Sequence, residues 1–226
     1  MKEFLKQIIA VTILIICMQS NISCDFKKGE ENILAIQKDS SIIDIPKNKQ
    51  GNYRLMYRMC KQDEKLLGLD SLQIGFDSMQ IRIWFEPGMF YKKQMIILKN
   101  SHGSWEGQLI SWTLDYGNEN SPKHTIIDKK IENIYPKSGW DKYITELIRL
   151  NIITLPDDSN IKGVESGGGD LRITSIEIAT KTMYRFYTYT EPDGYNKQFK
   201  ELQDIENIIH HTGKEFPQIL IAADKK

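Results

Sequence analysis

The residues of this chain whose types suit chemistry include four histidines and three cysteines. None of the histidines lies in the two-His, one-acid helical pattern by which zinc hydrolases hold their metal. His210 and His211 are adjacent, so on a helix their side chains would diverge by roughly 100°. We interpret them as residues near a helix C-terminus, where a partly charged imidazole is favourable. We therefore expect no metal and no cofactor.

The glycine-rich stretch ESGGGD, residues 165–170, invites two catalytic interpretations. As a phosphate-binding loop it lacks the terminal Lys-Ser/Thr and precedes a predicted strand, where that loop precedes a helix. Ser166 is not flanked by glycines two residues away on either side, as a nucleophile elbow requires. Cys60, in RMCKQ, has no local signature that would lower a thiol pKa. We assign no catalytic residue and expect a flexible surface loop at 165–170.

Tryptophans are the candidate ligand contacts, because an exposed indole can stack on a sugar or on a partner surface. The candidates are Trp84, Trp105 and Trp112. The alternative, which we favour, is that they form the core between sheet and helices and its rim. Arg82, Trp84 and Glu86 alternate away from the aliphatic face of their segment, so their exposure would distinguish the two interpretations.

Apolar residues with a period of two predict the strands that must position these side chains. The pattern occurs at 53–59, at 81–86 and at 105–116, and an apolar run at 94–99 lies between the last two. The polar, glycine-containing stretch NSHGS, residues 100–104, predicts a turn. Together these segments predict an antiparallel meander.

Two helices and a second hairpin follow. Ser138 begins a capping-box-like start for a helix that runs through Ile148. Residues 171–179 and 182–190 are β-branched and aromatic and predict a hairpin, and residues 195–211 have a helical stripe. The predicted fold class is α+β, with a mostly antiparallel twisted sheet of about six strands and two helices packed on one face.

Composition is that of a globular protein rather than a fibrous or disordered one. The chain has 226 residues, of which 40% are hydrophobic and 27% charged, enough for one domain with a tether. The 30 basic and 30 acidic side chains cancel, which argues against a field built to capture nucleic acid. We expect no nucleic-acid partner.

The N-terminus has the pattern of a secretory signal peptide. Lys2 and Lys6 precede an apolar run at residues 8–18, and a polar stretch follows. A helix that spans a bilayer needs about 20 apolar residues, so this run is too short for a stable anchor. A buried N-terminal helix is the alternative.

Residues 21–24, NISC, resemble the lipobox of bacterial lipoproteins, in which a small residue precedes a cysteine that is lipidated and becomes the mature N-terminus. The resemblance implies a diacylglyceryl group on Cys24 that holds the protein on a membrane. The alternative is a Cys24–Cys60 disulfide in an oxidising envelope. The predicted organisation is a signal peptide at 1–23, a tether at 24–50 that includes at most one edge strand, and a single domain at 51–226.

The order of elements, with SGWDKYITEL, TLPD and YRFYTYTEP, resembles uncharacterised envelope lipoproteins of Bacteroidota over roughly residues 53–216. The resemblance implies an α+β fold and brings no activity. We expect an exported, non-catalytic binding domain whose ligand is a protein or a glycan. An immunity-type inhibitor of a secreted toxin and an envelope hydrolase acting on glycan or cell-wall polymer are the alternatives.

The lipid anchor is testable by substitution. Replacing Cys24 with Ala is expected to release a soluble protein and to abolish incorporation of labelled fatty acid, because the acylated sulfur would be gone. A wild-type protein that takes up no label would contradict the prediction.

Overall fold

The structure, a computed structural model, describes residues 42–87, 92–115, 124–164, 172–190 and 198–219. The predicted signal peptide, Cys24 and the glycine-rich loop lie outside these ranges.

A sheet and three helices make up the described part of the chain. The strands are β1 Ile42–Asp44, β2 Met79–Pro87, β3 Lys92–Ser101, β4 Ser104–Asp115, β5 Thr125–Ile134, β6 Arg172–Thr180 and β7 Met183–Thr190. The helices are α1 Leu55–Leu67, α2 Trp140–Arg149 and α3 Lys200–Glu215. None of these three helices combines the length and the apolar character needed to cross a bilayer.

The sheet has the strand order β1-β7-β6-β2-β3-β4-β5. Neighbouring strands are antiparallel, except that β1 runs parallel to β7. The prediction of an α+β fold with a mostly antiparallel sheet is confirmed. The described sheet has seven strands where about six were expected. Strand β1 falls in the segment assigned to the tether.

The period-two segments from residue 81 onward form strands as predicted. Strands β2, β3 and β4 make the meander, and His102 and Gly103 lie in the turn between β3 and β4. Strands β6 and β7 make the second hairpin. Long alternating runs with β-branched and aromatic side chains are well suited to a half-buried pleated surface.

The strand predicted at residues 53–59 is wrong, because α1 begins at Leu55. The alternation is short, and the buried positions continue at helical spacing past its end. Gly68 takes a φ of 71° and ends the helix, with its amide donating to the Lys65 carbonyl, in the manner of C-terminal glycines. The buried side chains of α1 are Tyr57, Cys60, Asp63, Glu64 and Leu67.

Helices cover both faces of the sheet. Helix α1 lies on the face that carries Trp84 and Phe186, and Tyr57 meets Phe186 edge-on at 5.1 Å between ring centroids. Helices α2 and α3 pack on the opposite face, where the Trp140 side chain lies against Gly107. The prediction had two helices on one face, whereas the structure has α2 and α3 on one face and a third helix, α1, on the other.

The predicted start of α2 at a Ser138 cap is wrong. Gly139 occupies the N-cap position, and no side chain caps the helix. The backbone N–H of Ser138 donates instead to the Glu215 carboxylate at 2.7 Å, so the end of α3 is tied to the start of α2. The predicted second helix corresponds to α3, which begins at Lys200 and runs on to Glu215.

Strand β7 extends beyond β1, and two carboxylates satisfy its backbone there. Thr188 N–H donates to Asp157 Oδ2 at 3.0 Å, and Thr190 N–H donates to Asp158 Oδ2 at 3.1 Å. The Arg54 guanidinium donates to both aspartates. The segment that follows α2 is thereby fixed to the side of β7 and to the chain that enters α1.

Gly107 sits where α2 approaches the sheet most closely. A Cβ at this position would lie 2.6 Å from Cη2 of Trp140 and 3.0 Å from Cγ1 of Ile134, and real Cβ atoms do not come so close to their neighbours. The hydrogen of Gly107 therefore leaves the space that the Trp140 indole fills.

Gly107→Ala is expected to lower the free energy of unfolding by about 1–3 kcal/mol, because the added methyl overpacks the contact between sheet and helix. Urea denaturation measures the change. Glu106→Ala, at the exposed neighbouring position, is the control and should leave the midpoint nearly unchanged. Equal stability of Gly107→Ala and wild type would contradict the close approach.

Candidate functional site

A cluster of charged side chains lies between α1 and the sheet. Three come from α1, three from β2 and β3, and one from β6, and six of the seven are buried. We call these seven residues the ionic cluster: Lys61, Asp63, Glu64, Arg82, Glu86, Lys93 and Glu177. A group of three cations and four carboxylates beneath one helix is the most concentrated chemistry in the described part of the chain.

Arg82 is the centre of one half of the cluster. Its side chain is 2% exposed, and Nη1 lies 2.6 Å from Glu64 Oε2 and 3.4 Å from Glu177 Oε2. Nη2 donates to the Asp70 carbonyl at 2.8 Å. The guanidinium thus holds α1, β6 and the segment after α1 together.

Lys61 and Tyr184 complete this half. Lys61 Nζ lies 2.7 Å from Glu64 Oε2 and also donates to Glu177 Oε1. The Tyr184 hydroxyl donates to the same Glu177 oxygen at 2.8 Å. Glu177 therefore accepts hydrogen bonds from two cations and a phenol.

Lys93 is the centre of the other half. Its Nζ lies 2.8 Å from Asp63 Oδ2 and 3.2 Å from Glu86 Oε2. The Cys60 thiol donates a weak hydrogen bond to Glu86 Oε1 across 3.6 Å. Helix α1 is thus bound to the sheet through a second set of charges on β2 and β3.

Burial shapes the acid–base properties of these groups. Burial raises the pKa of the Cys60 thiol well above its ordinary value, and Glu86 adds to the effect. Burial also raises the pKa of Glu64 and Glu86, with Lys61 and Lys93 respectively acting in the opposite direction. A thiol that stays protonated is a poor nucleophile, so this geometry does not prepare Cys60 for covalent catalysis.

The tryptophans singled out as candidate ligand contacts differ in their placement. Trp84 and Trp112 are each 1% exposed and meet edge-on with ring centroids 6.0 Å apart. Neither indole N–H finds an acceptor among the described residues. Arg82 and Glu86 are buried beside Trp84, because α1 covers their face. Trp105 is half-buried, so of the three only Trp105 presents part of its ring to solvent in this structure.

The histidines contribute to packing and to surface contacts. His211 stacks on Tyr143 with ring centroids 5.3 Å apart, and His124 hydrogen-bonds Gln62 at 2.9 Å. His102 lies in the exposed turn after β3, and His210 is exposed on α3. Within the described ranges, no group of three or more His, Cys, Asp and Glu residues has the spacing of a metal site.

Sequence reasoning missed the ionic cluster because it assigned the wrong element to residues 53–59. With that stretch as a strand, Asp63 and Glu64 had no predicted place over the sheet. The available signal was helical spacing from Tyr57 through Cys60 and Glu64, followed by Gly68 as a helix end.

No protein-family model, curated protein or solved structure matches this chain. The function must therefore be argued from its own residues.

The cluster stabilises the docking of α1, and Glu177→Gln tests this role. Removal of one buried carboxylate leaves Lys61 and Arg82 short of a counter-charge, so the free energy of unfolding should fall by about 3–5 kcal/mol. Urea denaturation with far-UV circular dichroism measures it.

Glu146→Gln is the matched control, because Glu146 pairs with Arg149 on the exposed side of α2 and such pairs contribute little. A Glu177→Gln variant more stable than wild type would contradict the structural role. An increase in the free energy of unfolding would instead indicate that Glu177 is retained for an activity, at the expense of stability.

Proposed function

We propose that this protein is an exported, membrane-anchored lipoprotein whose domain binds another protein and is not an enzyme. A diacylglyceryl group on Cys24 attaches the protein to the membrane, and most of residues 24–50 form the tether between this anchor and the domain. The basic N-terminal residues, the short apolar run and the NISC stretch support this localisation.

The proposed binding role depends on strand β5. It has ten residues and stands last in the described sheet, so β4 pairs with one of its sides and no described strand pairs with the other. Ile127 is 64% exposed and Ile131 is 52% exposed. A sheet edge with unpaired amides and carbonyls and apolar side chains is a template for addition of another strand.

A protein ligand fits this surface better than a glycan. Main-chain hydrogen bonds along an edge strand require an extended polypeptide, and the exposed isoleucines offer apolar contacts to its side chains. The partner is therefore expected to present a strand or an extended segment.

The ionic cluster supports binding over hydrolysis. Its carboxylates accept hydrogen bonds from Lys61, Arg82, Lys93 and Tyr184, and the contacts join α1 to three strands. A charge so engaged stabilises the fold and would have to break a buried pair before it could transfer a proton to a substrate.

Site-specific photo-cross-linking in cells tests the binding role. A photoreactive amino acid in place of Ile131 should give a discrete protein adduct, because a partner strand would lie within reach of that side chain. The same substitution at Thr145, exposed on α2, is the control and should give none. Absence of an adduct at position 131, or the same adducts at both positions, would contradict the proposal. Mass spectrometry of the adduct identifies the partner.

A further inference from the structure

The part of β5 beyond its bulge is regular and self-complementary. The register against β4 shifts between Thr113 and Leu114, which leaves Ile127 as the extra residue. From Asp128 to Ile134 each residue of β5 faces one residue of β4 without interruption. This stretch reads DKKIENI and can pair along its outer side over its full length.

We propose that the partner of this edge is a second copy of the same chain, paired antiparallel through β5 with Ile131 on the twofold axis. The inference rests on the proposed binding role of β5 and names the partner. In this register Lys130 of each copy lies opposite Glu132 of the other, and Lys129 lies opposite Asn133.

The side chains that would face each other across the dimer, Lys130 and Glu132, are accessible to solvent. The side chain of Lys130 is 67% exposed and that of Glu132 is 38% exposed, and the two already form an ion pair at 3.0 Å within the strand. Pairing would bring two such pairs together as a quartet of alternating charges. Opposite charges directly across a strand pair stabilise it, and like charges destabilise it.

The charges also exclude several of the registers that twofold symmetry permits. Residues opposite each other in an antiparallel pair point to the same side of the sheet, so the axis must pass through a residue of the strand. With the axis at Lys129 or Lys130, two lysines face each other, and with the axis at Glu132 two carboxylates do. Among these four adjacent positions, Ile131 alone opposes no like charges and instead brings two isoleucines together.

The remaining lysine of the stretch does not oppose the contact. The Nζ atom of Lys129 donates to the Leu67 carbonyl at 3.3 Å, at the end of α1. The ammonium group of Lys129 therefore lies on the α1 side of its own sheet, next to the carbonyl groups at the C-terminal end of that helix. The pairing therefore leaves Asn133 of the second copy opposite a lysine that already has an acceptor.

Charge exchange tests the dimer. The full-length chain, purified in a density-matched detergent, is analysed by sedimentation equilibrium. Wild type should be a dimer. Lys130→Glu places carboxylates opposite carboxylates at two symmetric positions, so its dimer dissociation constant should rise about tenfold or more. The exchange Lys130→Glu with Glu132→Lys restores opposite charges and should return the constant to within about threefold of wild type.

Lys142→Glu, exposed on α2, makes the same change of charge away from β5 and should leave the dimer intact. Far-UV circular dichroism spectra equal to that of wild type show that each variant folds. Dimerisation of Lys130→Glu equal to wild type, or failure of the double exchange to restore it, would overturn the register.

The two proposals fail in different ways. A wild-type chain that stays monomeric, while position 131 cross-links to a different protein, overturns the homodimer and leaves the binding role standing. A monomeric chain with no adduct at position 131 overturns both. An adduct of twice the chain mass, lost in Lys130→Glu and regained in the double exchange, supports both.

Discussion

The position of α1 depends on the need of Arg82 for partners. Arg82 projects from β2, in the interior of the sheet, into a layer with almost no access to water. A guanidinium cannot give up its charge in a protein and has five donors to satisfy. Helix α1 supplies Glu64, the segment after it supplies the Asp70 carbonyl, and β6 supplies Glu177. If α1 shifted or rotated by one position along its axis, the Arg82 guanidinium would lose its contact with Glu64. Apolar contacts such as Tyr57 against Phe186 add attraction, while the charges define the arrangement.

The same layer explains why the tryptophans are internal. Trp84 stands on the strand between Arg82 and Glu86, and all three point toward α1. Once the helix is held by charges on both sides of the indole, that ring is enclosed and meets Trp112 edge-on. The indole N–H groups have no described acceptor, which is a cost that the surrounding apolar contacts and ion pairs offset. Charge and aromatic packing therefore act together here, and the face that carries Trp84 and Trp112 is a second core, which is the interpretation that we favoured from the sequence.

Much of the fold was predictable from periodicity, and the departures have physical reasons. Strands β2 and β4 show an alternating pattern, β6 and β7 are rich in β-branched and aromatic residues, and α2 and α3 have clear apolar stripes, so these elements followed from the sequence. Helix α1 was mistaken for a strand because alternating residues at its start masked the helical spacing that begins at Tyr57. Strand β5 carries charges on both of its sides and lies at the end of the described sheet, so no buried face marked it. The pairing of Arg82 with Glu177 could not be predicted, since the two residues lie 95 apart in the sequence and only the strand order brings them together. Lipidation of Cys24, and the membrane localisation that it implies, remain predictions from the N-terminal residues.

The two rims of the sheet differ, and the difference has a consequence for assembly. On the β7 side, Asp157 and Asp158 occupy backbone amides that a further strand would need, and the described part of β1, which pairs with β7, has three residues. On the opposite edge, β5 is ten residues long, and no described strand pairs with its outer side. The proposed contact joins two β5 edges about a twofold axis and uses the longest unpaired edge of the described sheet in each molecule. Association through this contact therefore closes at two copies and does not propagate into filaments. For the membrane-anchored form that we propose, such a closed pair would keep a sheet-rich protein from aggregating.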